Sequence, residues 1–424
     1  MALIRTLALA ALGFTGPTGV GTTGVTRADR ALSWTAVTAP TTASENSGYL
    51  VDGAGVTITL PSGCTVGDQI DIVGKRAGFT VASNGNSINS APGIFSHWVD
   101  RTSAGSRHWR SIASDSTGGH LAAVGGGSDV WTSTNGGATW TDQTAAGSRN
   151  WYSIASDSTG SHLAAVVFNG DIFTSANGGA TWTDRAAAGR RQWVNIASDS
   201  TGSRLAAVVS YGDIFTSTNG GATWTDQSAG GSRSWGSIAS DSTGSHLAGL
   251  IGGPGDIWTS TNGGATWIDR TAAGTRQWIS IASDSTGSHL AAVVSYGDIF
   301  TSTNGGATWT DRTAAGGRDW RSIASDSTGS HLAAVVLNNG DIWTSTNGGA
   351  TWTDEVAAGG RMWNSIASDS TGSHLAAAAS NDDIWTYVGK PGSVIGAPGA
   401  TLQLVCSGVN AFYVLGTTGS VSAE

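Results

Sequence analysis

The stretch STNGGATW at residues 133–140 recurs, with little change, five more times along the chain. Eight residues written six times over are either a catalytic word of which one copy is used, or a building unit of which every copy is used. Spacing favours the building unit. A tryptophan stands ahead of an (S/N)IASDSTG segment seven times, at Trp109, Trp151, Trp193, Trp235, Trp278, Trp320 and Trp363, 42 or 43 residues apart. That period belongs to four-stranded propeller blades and to some helical repeats. Helices are excluded by content, because each unit carries several glycines, many Ser and Thr, and no apolar 3.6-residue period.

Each unit divides into four short strands. In the copy beginning at Trp320, WRSIASD is strand one, STGS a turn, HLAAVV strand two, DIWTS strand three and ATWTD strand four. The links are hairpin-sized, which predicts an antiparallel meander. One meander cannot bury both faces, whereas a closed ring of them can. Strands one to three occur seven times but the STNGGATW word six, and the missing fourth strand lies ahead of all the rest, where Trp98 and Asp100 match Trp140 and Asp142. The last unit stops at DDIWTYVG, so residues 97–101 are expected to close the ring as its outer strand.

The repeated word resembles the Asp-box of sialidase-like propellers, S-x-D-x-G-x-T-W, with Asn135, Asn177, Asn219, Asn262, Asn304 and Asn347 in the acidic position. Asn or Asp there can bond the turn backbone, glycine supplies positive φ, and Thr and Trp pin the hairpin. The resemblance implies a structural staple on the face opposite a sialidase active site. The expected fold is therefore all-β: a seven-bladed β-propeller over residues 97–388, inserted into a split β-sandwich or jelly-roll-like domain of residues 34–96 plus 389–424.

That split domain has its own resemblance. GYLVDGAGVTITLPSGCTVGDQIDIVGKRAGFTVASN in the first half and LQLVCSGVNAFYVLGTTG in the second are similar to a small β-domain of bacteriophage tail fibres and related virion-surface proteins. Residues 1–33 begin with MALIRTLALAALGF, read either as a cleaved signal or as a retained arm. Cys64 and Cys406, one in each half, form no CxxC pair; we read them as buried strand thiols in preference to a bridge.

The net charge of −9, with two lysines and no basic run, makes nucleic acid and anionic membrane poor partners. Of 19 tryptophans all but Trp34 follow the period, which assigns them to packing between blades. Histidines recur in strand two (His120, His162, His246, His289, His331, His374), but the third copy has Arg204, so they are read as donors to the turn aspartates Asp115, Asp157 and their repeats. No metal or cofactor is expected. An arginine two residues before each strand-one tryptophan (Arg107, Arg149, Arg191, Arg233, Arg276, Arg318, Arg361) faces an aspartate ending each two-to-three loop (Asp129, Asp171, Asp213, Asp256, Asp298, Asp341, Asp383), which predicts ion pairs.

A specific site should sit where the copies differ. The two-to-three loops and the residues after those arginines vary and share the face opposite the Asp-box turns, making Phe168, Tyr211 and Tyr296 candidate sugar-stacking rings with Asn169, Gln192, Gln277 and Asn338 as polar contacts. Ordinary loop drift is the alternative. Glutamate is nearly absent from the ring, and no blade carries a distinctive acid and base pair for glycoside cleavage, so catalysis is not expected. The function these features imply is a structural and recognition protein of a virion surface (tail fibre, spike or capsid decoration), a homo-oligomer with a trimer favoured, meeting other virion proteins and a host glycan or receptor. A secreted lectin-like module is the alternative, and a degenerate glycosidase the third reading.

Overall fold

The computed structural model describes residues 32–62, 64, 68–75, 78–84, 87–90, 98–387, 393–408, 411–419 and 421–423. Almost all of the predicted N-terminal segment 1–33 lies outside them. The chain divides into two compact units, residues 1–97 with 389–424, and residues 98–388.

In the larger unit the repeat is a four-stranded antiparallel meander. The fifth copy runs Arg276–Ser283, Leu290–Gly297, Ile299–Ser302 and Thr310–Arg312, with Trp278 opposite Val294, Leu290 opposite Ser302, and Phe300 opposite Asp311. Strand two (LAAVV) is buried on both faces and reads as an unbroken apolar run, while strand four is an exposed edge carrying Thr and Asp. A short 3-10 turn such as Thr144–Ala146, ended by a glycine at φ 73°, links strand four to the next copy. Each apolar cluster straddles two copies. Ala122, Val124 and Val130 of the first pack with Trp151, Ile154 and Leu163 of the second. The fully buried tryptophan supplies the volume, and the alanines of strand two leave room for it.

The copies are locked in a circle. The Ser116 amide donates to the Ser158 carbonyl, Ser158 to Ser200, Ser200 to Ser242, Ser242 to Ser285, Ser285 to Ser327, Ser327 to Ser370, and Ser370 back to Ser116, at 3.0–3.1 Å throughout. Strand two of the last copy pairs with strand one of the first through Ser380 and His108. The outer strand Trp98–Arg101 pairs with Ile384–Tyr387, placing Trp98 opposite Tyr387 as the repeat count requires.

The STNGGATW word is a turn held by its own side chains. In the first copy Asn135 Oδ1 accepts from the Thr139 amide at 2.9 Å, its Nδ2 donates to Thr139 Oγ1 at 2.9 Å, and Ser133 Oγ accepts from the Gly137 amide at 2.9 Å. Gly136 and Gly137 sit at φ 64° and 85°, where a Cβ would be strained. Asn177, Asn219, Asn262, Asn304 and Asn347 repeat the pattern.

The smaller unit has two sheets around one core, to which Tyr49, Ile70, Leu402 and Phe412 contribute from one side and Ile58, Phe79 and Val81 from the other. Its topology differs from a jelly roll, which is built of antiparallel strands. Successive strands alternate between the sheets, so Ser33–Val37, Ser47–Val51 and Gln69–Gly74 pair in parallel, as do Thr41–Thr42, Val56–Thr59 and Phe79–Ala82. Short links that cross to the opposite sheet bring the chain back pointing the same way. The second half adds antiparallel strands to both sheets, Thr401–Gly408 against Gln69–Gly74 and Ser393–Gly396 against Phe79–Ala82. The reading of Cys64 and Cys406 as free thiols is corrected: they form a disulfide across a sequence separation of 342 residues. The pairing of the two halves brings their Cα atoms to 6.1 Å, within bridging range.

Candidate recognition face

An antiparallel meander puts the two-to-three and four-to-one links on one face of the ring and the one-to-two turns and Asp-box turns on the other. On the first face every two-to-three loop turns through a left-handed residue: Gly127, Asn169, Tyr211, Gly253, Tyr296, Asn339 and Asn381, at φ between 48° and 87°. Glycine and asparagine occupy this conformation at little cost, and bulky residues do not. Tyr211 and Tyr296 nevertheless stand there at φ 56° and 52°, with 81% and 78% of their surfaces exposed. Between them, in the fourth copy, lies the side-chain-poor loop Gly252–Gly253–Pro254–Gly255.

The other sequence candidates fall on the same face in different settings. Phe168 and Gln192 become register partners across neighbouring copies. The Phe168 ring is half-buried and stacks on Tyr152 at 5.4 Å and 28°, and Arg110 lies over that tyrosine at 4.9 Å, so Phe168 is one layer of a stack. Gln277 is exposed opposite Pro254. Asn169 is an exposed loop tip; Asn338 donates to Asp319 Oδ2 at 2.7 Å, and Ser295 holds the other carboxylate oxygen at 3.1 Å. Asn339, the actual tip of its loop, was missed beside Asn338. A pair of adjacent asparagines at a turn does not say which one turns.

The arginines before the strand-one tryptophans do not make the predicted ring of ion pairs. Each guanidinium lies over the strand-three aromatic of its own copy, from 3.9 Å for Arg361 on Trp385 to 4.5 Å for Arg149 on Phe173. Each side chain also donates to the carbonyl three residues before it, at the end of the 3-10 turn, as Arg149 Nε does to Ala146 at 2.9 Å. A planar cation on an aromatic face is desolvated cheaply, and it explains why Trp and Phe interchange in strand three. Among the described residues one close carboxylate contact joins this set, Arg361 Nε to Asp382 at 2.9 Å, and it uses the aspartate before the predicted Asp383.

The loop aspartates instead approach the strand-four aspartates. Asp142, Asp184, Asp226, Asp269, Asp311 and Asp354 are raised above the ordinary carboxylate range by partial burial and by the charge of Asp129, Asp171, Asp213, Asp256, Asp298 and Asp341. Asp100 is raised in the same way beside Asp383. The pairing is a property of every copy, so it distinguishes no blade as a site.

On the opposite face the histidines bond the aspartate of their own turn, His162 Nδ1 to Asp157 Oδ2 at 2.8 Å and five others alike. Burial alone would raise these aspartates, but hydrogen bonds from the histidine, a threonine and backbone amides hold all six below their ordinary range. At Arg204 only the backbone amide makes the matching bond, to Asp199 at 3.1 Å, and the side chain lies along Gly244. No group of His, Cys, Asp or Glu among the described residues is arranged to hold a metal, and no helix among them is long and apolar enough to cross a membrane.

No family model and no curated protein matches this sequence. Among solved structures the chain is similar to YCF48 bound to D1 peptide, with a TM-score of 0.56 at 14% identity over 71% of this chain and 99% of that one. YCF48 from Cyanidioschyzon merolae gives 0.54 at 16% identity over 68% and 98%. The GH74 xyloglucanase from Xanthomonas campestris gives 0.52 at 12% identity, over 75% of this chain and 55% of that enzyme. What these neighbours share with the chain is the β-propeller, a fold of repeated antiparallel blades.

Proposed function

We propose that this chain is a non-catalytic structural and recognition protein of a virion surface, a tail-fibre, spike or capsid-decoration subunit whose propeller presents its variable-loop face to a glycan or receptor. The observation that carries the recognition reading is the pair Tyr211 and Tyr296. Two bulky rings occupy a left-handed position that other copies give to Gly or Asn, and they are almost fully exposed. Exposed aromatics on strained loops fit ligand stacking better than fold maintenance. The virion assignment rests on the resemblance of the smaller unit, and the Cys64–Cys406 bridge suits an extracellular chain. One similar structure carries a peptide and another is a xyloglucanase, so fold alone does not choose the ligand class.

The test combines light scattering of the native protein with binding to an array of host-surface glycans, for the parent chain and for Tyr211→Ala with Tyr296→Ala. A trimer or larger particle whose glycan binding is lost in the double variant is expected. A monomer that binds no glycan, or turnover of a sialoside by the parent chain, would overturn the proposal.

A further inference from the structure

The Asp-box face carries a second, independent feature. Grooves run between neighbouring copies, walled by a strand-two histidine and a residue at the end of strand four of one copy and by the Asp-box asparagine or its glycine from the next. Those that hold an arginine measure about 400 Å³ beside His162 and Arg185, 270 Å³ beside His374 and Arg101, 240 Å³ beside His246 and Arg270, and 200 Å³ beside His289 and Arg312. The groove beside Arg204, which has no histidine, is closed to about 20 Å³.

The residue that ends strand four or directly follows it is Arg101, Gln143, Arg185, Gln227, Arg270, Arg312 or Glu355 around the ring. Its structural task is a hydrogen bond to a strand-three threonine. Arg270 Nε does this to Thr259 at 2.6 Å, and Arg101, Arg185 and Arg312 do the same at 2.6–2.7 Å. Glutamine does it equally well, Gln143 to Thr132 at 2.7 Å and Gln227 to Thr216 at 2.6 Å. The charge and the two Nη groups of the arginines are therefore surplus to the fold. The histidine in each groove commits Nδ1 to its buried aspartate, which fixes the ring and leaves Nε2 for the groove. Thr259 and Ser288 add hydroxyls to the lining in the groove of Arg270, where Ser260 and Thr286 donate to Asn262 and Asp284.

We propose that these four grooves bind acidic sugar units, the guanidinium fork taking the carboxylate, the imidazole Nε2 accepting from a sugar hydroxyl and the groove hydroxyls meeting the remaining sugar oxygens. A fork of N–H donors matches a planar carboxylate, and serine and threonine rims match a polyol. The four sites are equivalent and lie on one face, so an acidic polysaccharide would engage several at once. This inference does not rest on the tyrosine face and stands or falls separately.

The test uses sodium glucuronate as probe and the histidine Cε1–H resonances as site-resolved reporters in the full-length protein. His162, His246, His289 and His374 should shift saturably at millimolar ligand, while His120 and His331, whose grooves hold Gln143 and Glu355, stay still. Arg270→Gln, which keeps the threonine bond, should silence His246 alone, and Gln143→Arg should make His120 respond. Equal movement of all six histidines, no movement of any, or a His246 response that survives Arg270→Gln would overturn the proposal. So would a response to inorganic sulfate as strong as that to glucuronate, since the site would then read an oxyanion without its sugar.

Discussion

Replacing Tyr211 or Tyr296 with glycine should make the protein more stable. The left-handed conformation costs a residue with a Cβ about 1–2 kcal/mol, and both tyrosines pay it at φ 56° and 52°. With 81% and 78% of their surfaces exposed, the rings give back little packing when removed. Glycine returns part of the gain through its larger unfolded-state entropy, about 0.5–1 kcal/mol. The net expectation is about 0.5–1 kcal/mol per site. The third and fifth copies are not neighbours, so the double variant should gain about 1–2 kcal/mol. Urea-unfolding midpoints of Tyr→Gly, Tyr→Asn and Tyr→Ala would be compared at each site. Glycine should raise the midpoint, asparagine should raise it less, and alanine, which keeps the Cβ penalty, should leave it near the parent. A lower midpoint for either glycine variant would refute the reasoning, because the rings would then be held by contacts worth more than the strain. Stabilisation accompanied by loss of ligand binding is the pattern of a residue retained for function at the expense of fold.

Other outcomes follow from the same geometry. Asn262→Ala removes the acceptor of the Thr266 amide and the donor to Thr266 Oγ1, and should cost about 1–2 kcal/mol in thermal unfolding, whereas Asn262→Asp, which keeps that acceptor and can accept from the Thr266 hydroxyl, should be nearly neutral. The stability contributed by the turn and strand-four aspartates should peak near pH 3.8, their ordinary value. The six depressed turn aspartates contribute above their ordinary value of 3.8 and lose that contribution as pH falls through their folded values; the raised strand-four aspartates contribute fully below 3.8 and lose it as pH rises through theirs. Calorimetry should therefore find Asp269→Asn stabilising at neutral pH and without effect at pH well below 3.8. Chemical reduction of Cys64–Cys406 should lower the unfolding temperature of the smaller unit, followed by hydrogen exchange of Thr401–Gly408, while tryptophan fluorescence from the ring is unchanged.

The ring was legible because its signal is repeated: seven tryptophans at one spacing fix the unit, and the displaced Trp98 and Asp100 show where the chain closes. The positions of Tyr211 and Tyr296 were legible as variable loop residues, but their left-handed backbone was not, because a tyrosine gives no hint of φ. Pairwise charge was a poor guide. Arg149 and Asp171 are near enough in the meander to suggest an ion pair, yet the guanidinium goes to Phe173 and the carboxylate to Asp184, choices set by side-chain direction and desolvation that spacing does not encode. The disulfide was hidden for a different reason. Two cysteines 342 residues apart carry no local pattern, and only the strand pairing of the halves brings them together. The inter-copy grooves escaped notice because arginine and glutamine at the end of strand four look like neutral drift until both are seen bonding the same threonine.

The split of the smaller unit has a consequence for how the protein is made. Its first strands, Ser33–Val37 to Ser87–Ser90, leave the ribosome roughly 300 residues before the strands that complete both sheets. At about 5–20 residues per second, that half-built unit waits on the order of 15–60 s with open edges and a cysteine that has no partner. The ring fills the interval: it completes itself only when Ile384–Tyr387 meets Trp98–Arg101, and that pairing sets the entry and exit of the insert side by side. Folding of the insert thus delivers the late strands to a chain end that would otherwise have to find them by diffusion. A variant unable to close its ring, such as Trp98→Ala, should betray itself first as aggregation of the nascent smaller unit, far along the sequence from much of what the mutation disturbs.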